Sequence, residues 1–498
     1  MLNGLPLSRS GSQAPFESMD DDNDNILVLI QLNGGNDGLN TIIPLEHYDL
    51  LANVRSNIII PKNNILSLDN QHGLHPNLSG MKSLYDDAKM TVIKDVGYPN
   101  QNRSHFRSTD IWTSGSASNQ NWTTGWLGRH LQTGAPEYPE GYPNDDVPDP
   151  FAISIGSNVS ETCQGTIANF SLALADPLSL GNLATGSNEG VPDSAYGREL
   201  QFIRTTIEQT NAYGEVVKRA AEKGSNMSFN YPDTGLAEQL KSIALLISGD
   251  LRTKVYIANL GGFDTHANQV QNGNTSLGNH ATLMERLGES VAAFQEDLKL
   301  LGLQEKVLTM TFSEFGRRIR SNDSLGTDHG SAAPMMVFGS CINAGILGGS
   351  SALPAAPSQS DGVPFQFDFR DVYGSVLMDW FGVEETEVRS LLHNNFSHIP
   401  FINSCQTTPT IDPFLEVNTT ASPNPFDDWT TINFHSKGGY ARISIYDALG
   451  HEIKVLGNRI FQSGAHGIRY NGSNLSPGNY FYRIVTDGGL STKALVKI

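Results

Sequence analysis

Cysteine is scarce: Cys163, Cys341 and Cys405 are the only three in 498 residues. They are odd in number, far apart, and in none of the paired spacings that hold zinc. A disulfide framework therefore does not explain the fold. Basic residues are also few, 33 Lys and Arg against 52 Asp and Glu, which leaves a formal charge of -19. The summed field repels polyanions and excludes a broad basic surface for nucleic acid, although a small anionic ester still has access to a local positive site. No run of about 18 apolar residues occurs, so no segment reads as a transmembrane helix. The start, "MLNGLPLSRSGSQAPFESMDDDNDN", lacks a basic segment followed by an apolar one. That leaves a cytosolic protein, or one whose export signal precedes this numbering.

What is present begins with core-forming material. Hydrophobic residues make up 38% of the chain, enough for one large core and a small extra domain. Short unbroken apolar runs, "ILVLIQL", "MTVIKDV", "FAISIG", "KVYIANL", "KVLTMTF" and "PMMVFG", read as strands buried on both faces. Helical patterns lie between them, among them residues 195–223, "TGLAEQLKSIALLIS" and "HATLMERLGESVAAFQEDLKLLG". The alternation predicts an α/β domain with a mostly parallel sheet flanked by helices, whose ligands sit beyond the carboxyl ends of the strands.

The pattern changes after about residue 405. "SCQTTPTIDPFLEVNTTASPNPF" is linker-like, and the runs that follow it alternate polar and apolar residues between Gly, Asn and Asp. That predicts a small all-β sandwich. The expected divisions are a disordered or processed segment 1–24, the α/β domain 25–405, a linker 406–421 and the sandwich 422–498.

Four places gather residues able to do chemistry. The first is Asp37 in "NGGNDGLN", where glycines let the backbone turn sharply after the first strand; it is a candidate metal ligand, with Asn36 beside it assigned to substrate binding. The second is "NRSHFRSTDIW". Ser104 stands just ahead of a predicted helix, where an anion is favoured, and Arg103 and Arg107 offer guanidinium forks to ester oxygens. Ser108 is the alternative nucleophile. The third is "GGFDTHANQ", where Asp264 and His266 are two apart and point the same way in extended backbone. The fourth is "TFSEFGRRIRSNDSLGTDHGSAAP", with Glu314 as a catalytic candidate, Arg317 as a substrate-binding one, and Asp328 and His329 as metal ligands between glycines that permit a bend. Each place also has an ordinary reading as a turn, a helix cap or a salt-bridged loop. Together, carboxylate, imidazole, hydroxyl and arginine are the mixture that metal-assisted displacement of an ester needs.

The ordered motifs "VLIQLNGGNDGLNTIIPL", "NRSHFRSTDIW", "TGWLGRHL", "GGFDTHANQ", "TFSEFGRRI", "GTDHGSAAPMMVFG" and "FRDVYGSVL", over roughly residues 24–395, resemble the bacterial domain of unknown function 1501, often called sulfatase-like. That family is similar to a remote branch of the alkaline phosphatase superfamily. The resemblance implies an alkaline phosphatase-like fold, Asp37, Asp264, His266 and His329 as ligands of a divalent metal, and Ser104 as nucleophile. Glu314 stands where the superfamily has an Asp-His pair, which points to a single-metal or altered site. No Cys or Ser begins a C/S-x-P-x-R signature, so the formylglycine mechanism of sulfatases is not supported. "SPNPF", "ISIYDALGHEI", "NGSNLSPGNYFYRI" and "STKALVKI" resemble the C-terminal sorting domain of the type IX secretion system, which implies export through the outer membrane and the secretion machinery as a partner.

The expected function is an exported metal-dependent hydrolase of phosphate or sulfate esters, acting on a small anionic ester or a sulfated or phosphorylated glycan. The cation is expected to be zinc or manganese, with magnesium or calcium as alternatives. Other readings are a non-catalytic cell-surface scaffold with a degenerate site, or a phospho-group transferase using the same residues.

Overall fold

The computed structural model describes residues 23–178, 190–393, 396–403, 419–436, 439–447, 452–486 and 489–498. All but the end of the expected leading segment 1–24, and the linker up to residue 418, lie outside the described residues. The chain divides into two units, residues 1–404 and 405–498.

Each of the six apolar runs forms a strand, and three short segments join them in one sheet. The strands are β1 (Ile26–Asn33), β2 (Met90–Gly97), β3 (Ala152–Ile155), β4 (Ser171–Leu174), β5 (Val255–Gly261), β6 (Val307–Phe312), β7 (Ala333–Phe338), β8 (Gly345–Leu347) and β9 (Phe367–Asp368). Their order is β8-β2-β7-β6-β1-β5-β3-β4, with β9 also paired to β2. In β2, β6 and β7 every residue is buried, as strands covered on both faces require. The sheet is mostly parallel, with one exception. β7 runs antiparallel to both of its neighbours, β2 and β6.

Helices cover the sheet as the sequence predicts. They include α1 (His105–Ser114), α2 (Ala195–Lys223), α3 (Gly235–Ser248) and α4 (Asn279–Leu300). Helix α3 starts where the Thr234 side chain accepts a hydrogen bond from the Ala237 N–H, and Leu236, Leu240, Ile243 and Ile247 recur at helical spacing on its buried face. These side chains, with Leu287, Val291 and Phe294 of α4, share one core with Val28, Ile30 and Tyr256 of the sheet. Fully burying a side chain of this size contributes about 1.5–3 kcal/mol.

Register decides where the site lies. Asn33 is opposite Gly261, Gln31 opposite Phe312, and Val96 opposite Ala333. The loops that leave β1, β2, β5 and β6 therefore emerge along one edge. Because β7 is reversed, the loop that enters it reaches the same edge.

The second unit is all-β. Strands β10 (Thr419–Ser422), β11 (Trp429–Ser436) and β14 (Gly464–Asn471) make one antiparallel sheet; β12 (Gly439–Tyr446), β13 (Glu452–Phe461), β15 (Gly478–Thr486) and β16 (Gly489–Lys497) make another. Ile432, Phe434 and Tyr470 of the first sheet share a core with Ile443, Ile445, Tyr482 and Leu495 of the second. Alternate burial along β11 is the period-two pattern of the sequence.

Candidate metal centre

Three imidazoles meet one carboxylate at this edge, and each ring is oriented from behind. His105, the first residue of α1, has Nδ1 2.8 Å from Glu314 Oε1. His266, in the loop after β5, has Nδ1 3.0 Å from Asp328 Oδ1. His329, ahead of β7, has Nδ1 2.7 Å from the Arg103 carbonyl. A carbonyl or ionised carboxylate only accepts, so each Nδ1 is the donor and each neutral ring keeps its lone pair on Nε2.

The three Nε2 atoms turn toward Asp264. Its Oδ1 lies 3.4 Å from His105, 3.1 Å from His266 and 3.0 Å from His329. His266 Nε2 and His329 Nε2 are 2.8 Å apart. Ligand atoms of His105, Asp264 and His329 all lie within 4.8 Å of one another, and His105 Nε2 is buried with no hydrogen-bond partner among the described residues. Four-coordinate zinc with bonds of about 2.0–2.1 Å separates its ligand atoms by roughly 3.3 Å, so the spacing and the donor set fit a cation.

Electrostatics keep Asp264 ionised. Burial pushes its pKa up, but the Arg317 guanidinium, bonded to the carboxylate, outweighs that and brings it to about 2. Asp328 is likewise lowered: burial raises it, while bonds from His266 and Asn322 pull it down further. His329 is held below the ordinary imidazole value, chiefly by burial, which favours the neutral ring a cation needs.

Several expected roles need correction. Asp37 does not join the cluster: it is 1% exposed, with Arg55 Nη2 3.0 Å from Oδ2 and Gln269 Nε2 2.5 Å from the same oxygen. Asp328 stands behind His266 and pairs with Arg318 at 3.1 Å. Glu314 is buried and receives His105 and the Gly34 N–H, so it orients a ligand. Arg317 is no substrate clamp. Its guanidinium bonds the carbonyls of Gly34, Gly35, Phe263 and Thr327 and reaches Asp264 Oδ1 at 2.7 Å, tying the loops of β1, β5 and β7 together. Arg107 is turned to the carbonyls of Ala117, Ser118 and Gln120. Asn36 is fully buried, bonding Thr41 and Ser313, and Ser108 is buried with its hydroxyl donating to the Glu314 carbonyl at 2.5 Å.

Ser104 is exposed at the N-cap of α1, and its hydroxyl makes no capping bond. It also lies between Arg103, whose carbonyl anchors His329, and His105. The Arg103 side chain bonds the Ser360 carbonyl at 2.8 Å.

The sequence pattern does not single out His105, although it lies within "NRSHFRSTDIW". A histidine opening a helix directly after a strand loop was the available signal. Arg55 and Gln269 gave none, because their roles depend on contacts with Asp37 that no local pattern records.

Residues 192–366 match the family described as a protein of unknown function (DUF1501), a narrower span than the resemblance in the sequence, and residues 421–498 match the secretion system C-terminal sorting domain. Among curated proteins none matches. Similar solved structures include the lipoteichoic acid synthase LtaP of Listeria monocytogenes, at 10% identity, 73% of each chain covered and a TM-score of 0.30. The phosphonate monoester hydrolase SpPMH of Silicibacter pomeroyi is 9% identical, with 95% of this chain and 88% of that one covered and a TM-score of 0.30. For the PsFucS1 sulfatase of Pseudoalteromonas sp. the values are 10%, 90%, 83% and 0.30. Family models thus match the chain in two separate places, the DUF1501 model over residues 192–366 and the sorting-domain model over residues 421–498.

Proposed function

We propose that this chain is an exported hydrolase of phosphate or sulfate esters that works with one divalent cation, zinc or manganese. The observation that carries the reading is the convergence of three Nε2 lone pairs on the Asp264 carboxylate, each ring fixed through Nδ1. A bound cation supplies Lewis acidity, lowering the pKa of a nearby hydroxyl and stabilising charge on ester oxygens. Ser104 is the hydroxyl the chain offers, exposed and one residue from His105. Glu314 holds His105 in the tautomer that turns its lone pair outward, and Arg103 is the candidate to meet non-bridging oxygens. Export is supported by the sorting-domain match. The secretion machinery is then a partner, and a sulfated or phosphorylated glycan suits a surface-exposed enzyme.

One observation favours the scaffold reading. Arg317 donates to the same Asp264 oxygen that faces the imidazoles, so an ion-paired cluster is complete without metal. Elemental analysis of protein purified without chelator, beside assays on an aryl phosphate and an aryl sulfate, separates the two. Stoichiometric zinc or manganese, with turnover that disappears in Ser104→Ala, is the expected result. No metal and no hydrolysis of either ester would leave the scaffold. Product analysis with an alcohol acceptor tells hydrolysis from phospho-group transfer.

A further inference from the structure

Beneath the candidate metal centre, one buried amide joins two of the three segments that supply its ligands, the loops after β5 and before β7. Gln269 is fully buried, its Nε2 2.5 Å from Asp37 Oδ2. Its Oε1 accepts from Thr265 Oγ1 at 3.1 Å and from Thr327 Oγ1 at 2.7 Å. The amide's orientation is fixed chemically: the carboxylate only accepts, so the NH2 faces Asp37, and the carbonyl oxygen is left for two hydroxyl donors. Thr265 separates Asp264 from His266, and Thr327 adjoins Asp328, which orients His266, and precedes His329 by two residues. The Thr327 N–H also bonds the Thr265 carbonyl at 3.1 Å. Asp37 is in turn immobilised by Arg55, which reaches both of its oxygens at 3.0 and 3.2 Å.

We infer that Gln269 is a positioning residue that sets the spacing of the cation ligands, with Asp37 and Arg55 as its fixed base. The inference rests on the metal-dependent reading above. Asp37, expected to ligate, instead orients the amide that aligns the loops bearing Asp264, His266 and His329. Arg55 supplies beside Asp37 the positive charge a second cation would have brought, so the site takes one ion per chain. The clamp needs no contact with the ion. It limits how far the two loops separate, and hence how well the four donor atoms match one coordination shell.

Cobalt(II) titration of the metal-free full chain, followed by visible absorption and metal analysis, tests this. The wild type is expected to bind about one ion per chain. In Thr265→Val/Thr327→Val, which removes both hydroxyls and leaves Gln269 on Asp37, affinity is expected to fall at least about tenfold, the range for partners behind a metal ligand, with an altered cobalt spectrum. Thr265→Ser/Thr327→Ser keeps the hydroxyls and is expected to bind as the wild type does. Gln269→Ala is expected to match the valine pair. The inference is overturned if the valine pair binds like the wild type, if the serine pair is as weak as the valine pair, or if the wild type takes two ions. A wild type that takes no cobalt removes the metal-dependent reading and the clamp together, an outcome recognisable because failure of the clamp alone leaves the wild-type signal intact.

Discussion

At the scale of single residues, the proposed centre separates groups offered to a cation from groups that aim them. His105→Ala removes an Nε2 from the cluster and is expected to lower cobalt or zinc affinity at least about tenfold; unchanged affinity in a competition titration would remove His105 from the ligand set. Ser104 and Ser108 separate in the same way. Ser104→Ala is expected to abolish ester turnover while stability stays within about 0.5 kcal/mol, as for exposed positions. Ser108→Ala breaks a buried bond to the Glu314 carbonyl and is expected to cost about 1 kcal/mol in urea unfolding while turnover persists. The opposite pattern would make Ser108 the nucleophile. At this scale the sequence was partly legible. That Asp264, His266 and His329 gather at one edge was readable, because polar residues in the loops beside buried strands face it. The roles of Asp37, Arg107 and Arg317 were not, because a carboxylate or a guanidinium has the same appearance in sequence whether a cation or another side chain occupies it.

At the scale of elements, the six apolar runs and the long helices were legible because burial on both faces and helical spacing leave strong local patterns. The direction of β7 was not, since it depends on pairing with β2 and β6. Close approach of loops was equally hidden, though glycine hinted at it. Gly34 has φ +122°, and a Cβ there would lie 2.3 Å from the Asp264 backbone nitrogen. Its N–H also bonds Glu314 at 2.8 Å. Gly34→Ala is therefore expected to destabilise the chain by about 2 kcal/mol or more and to weaken cation binding by pushing the β5 loop outward. A variant with wild-type urea midpoint and metal affinity would show that these loops have room to separate.

At the scale of the whole molecule, buried imidazoles outside the metal centre set an acid limit. Burial lowers His130 and His280 to about 4 and His75 to about 3, whereas in the unfolded chain each titrates near 6.5. Between pH 6.5 and about 4 the unfolded state binds more protons, so stability falls as pH falls; above pH 6.5 both states hold neutral rings and this contribution is constant. Urea midpoints of the metal-free protein are expected to drop steadily from pH 7 to pH 4.5, and a flat profile would mean that these rings gain protons without unfolding. The candidate ligands are scattered along the chain, from His105 near its first quarter to His329 near its second third. No short stretch of unfolded chain brings them together, so the proposed cation site exists only where the sheet has paired, and metal affinity is expected to vanish with the fold.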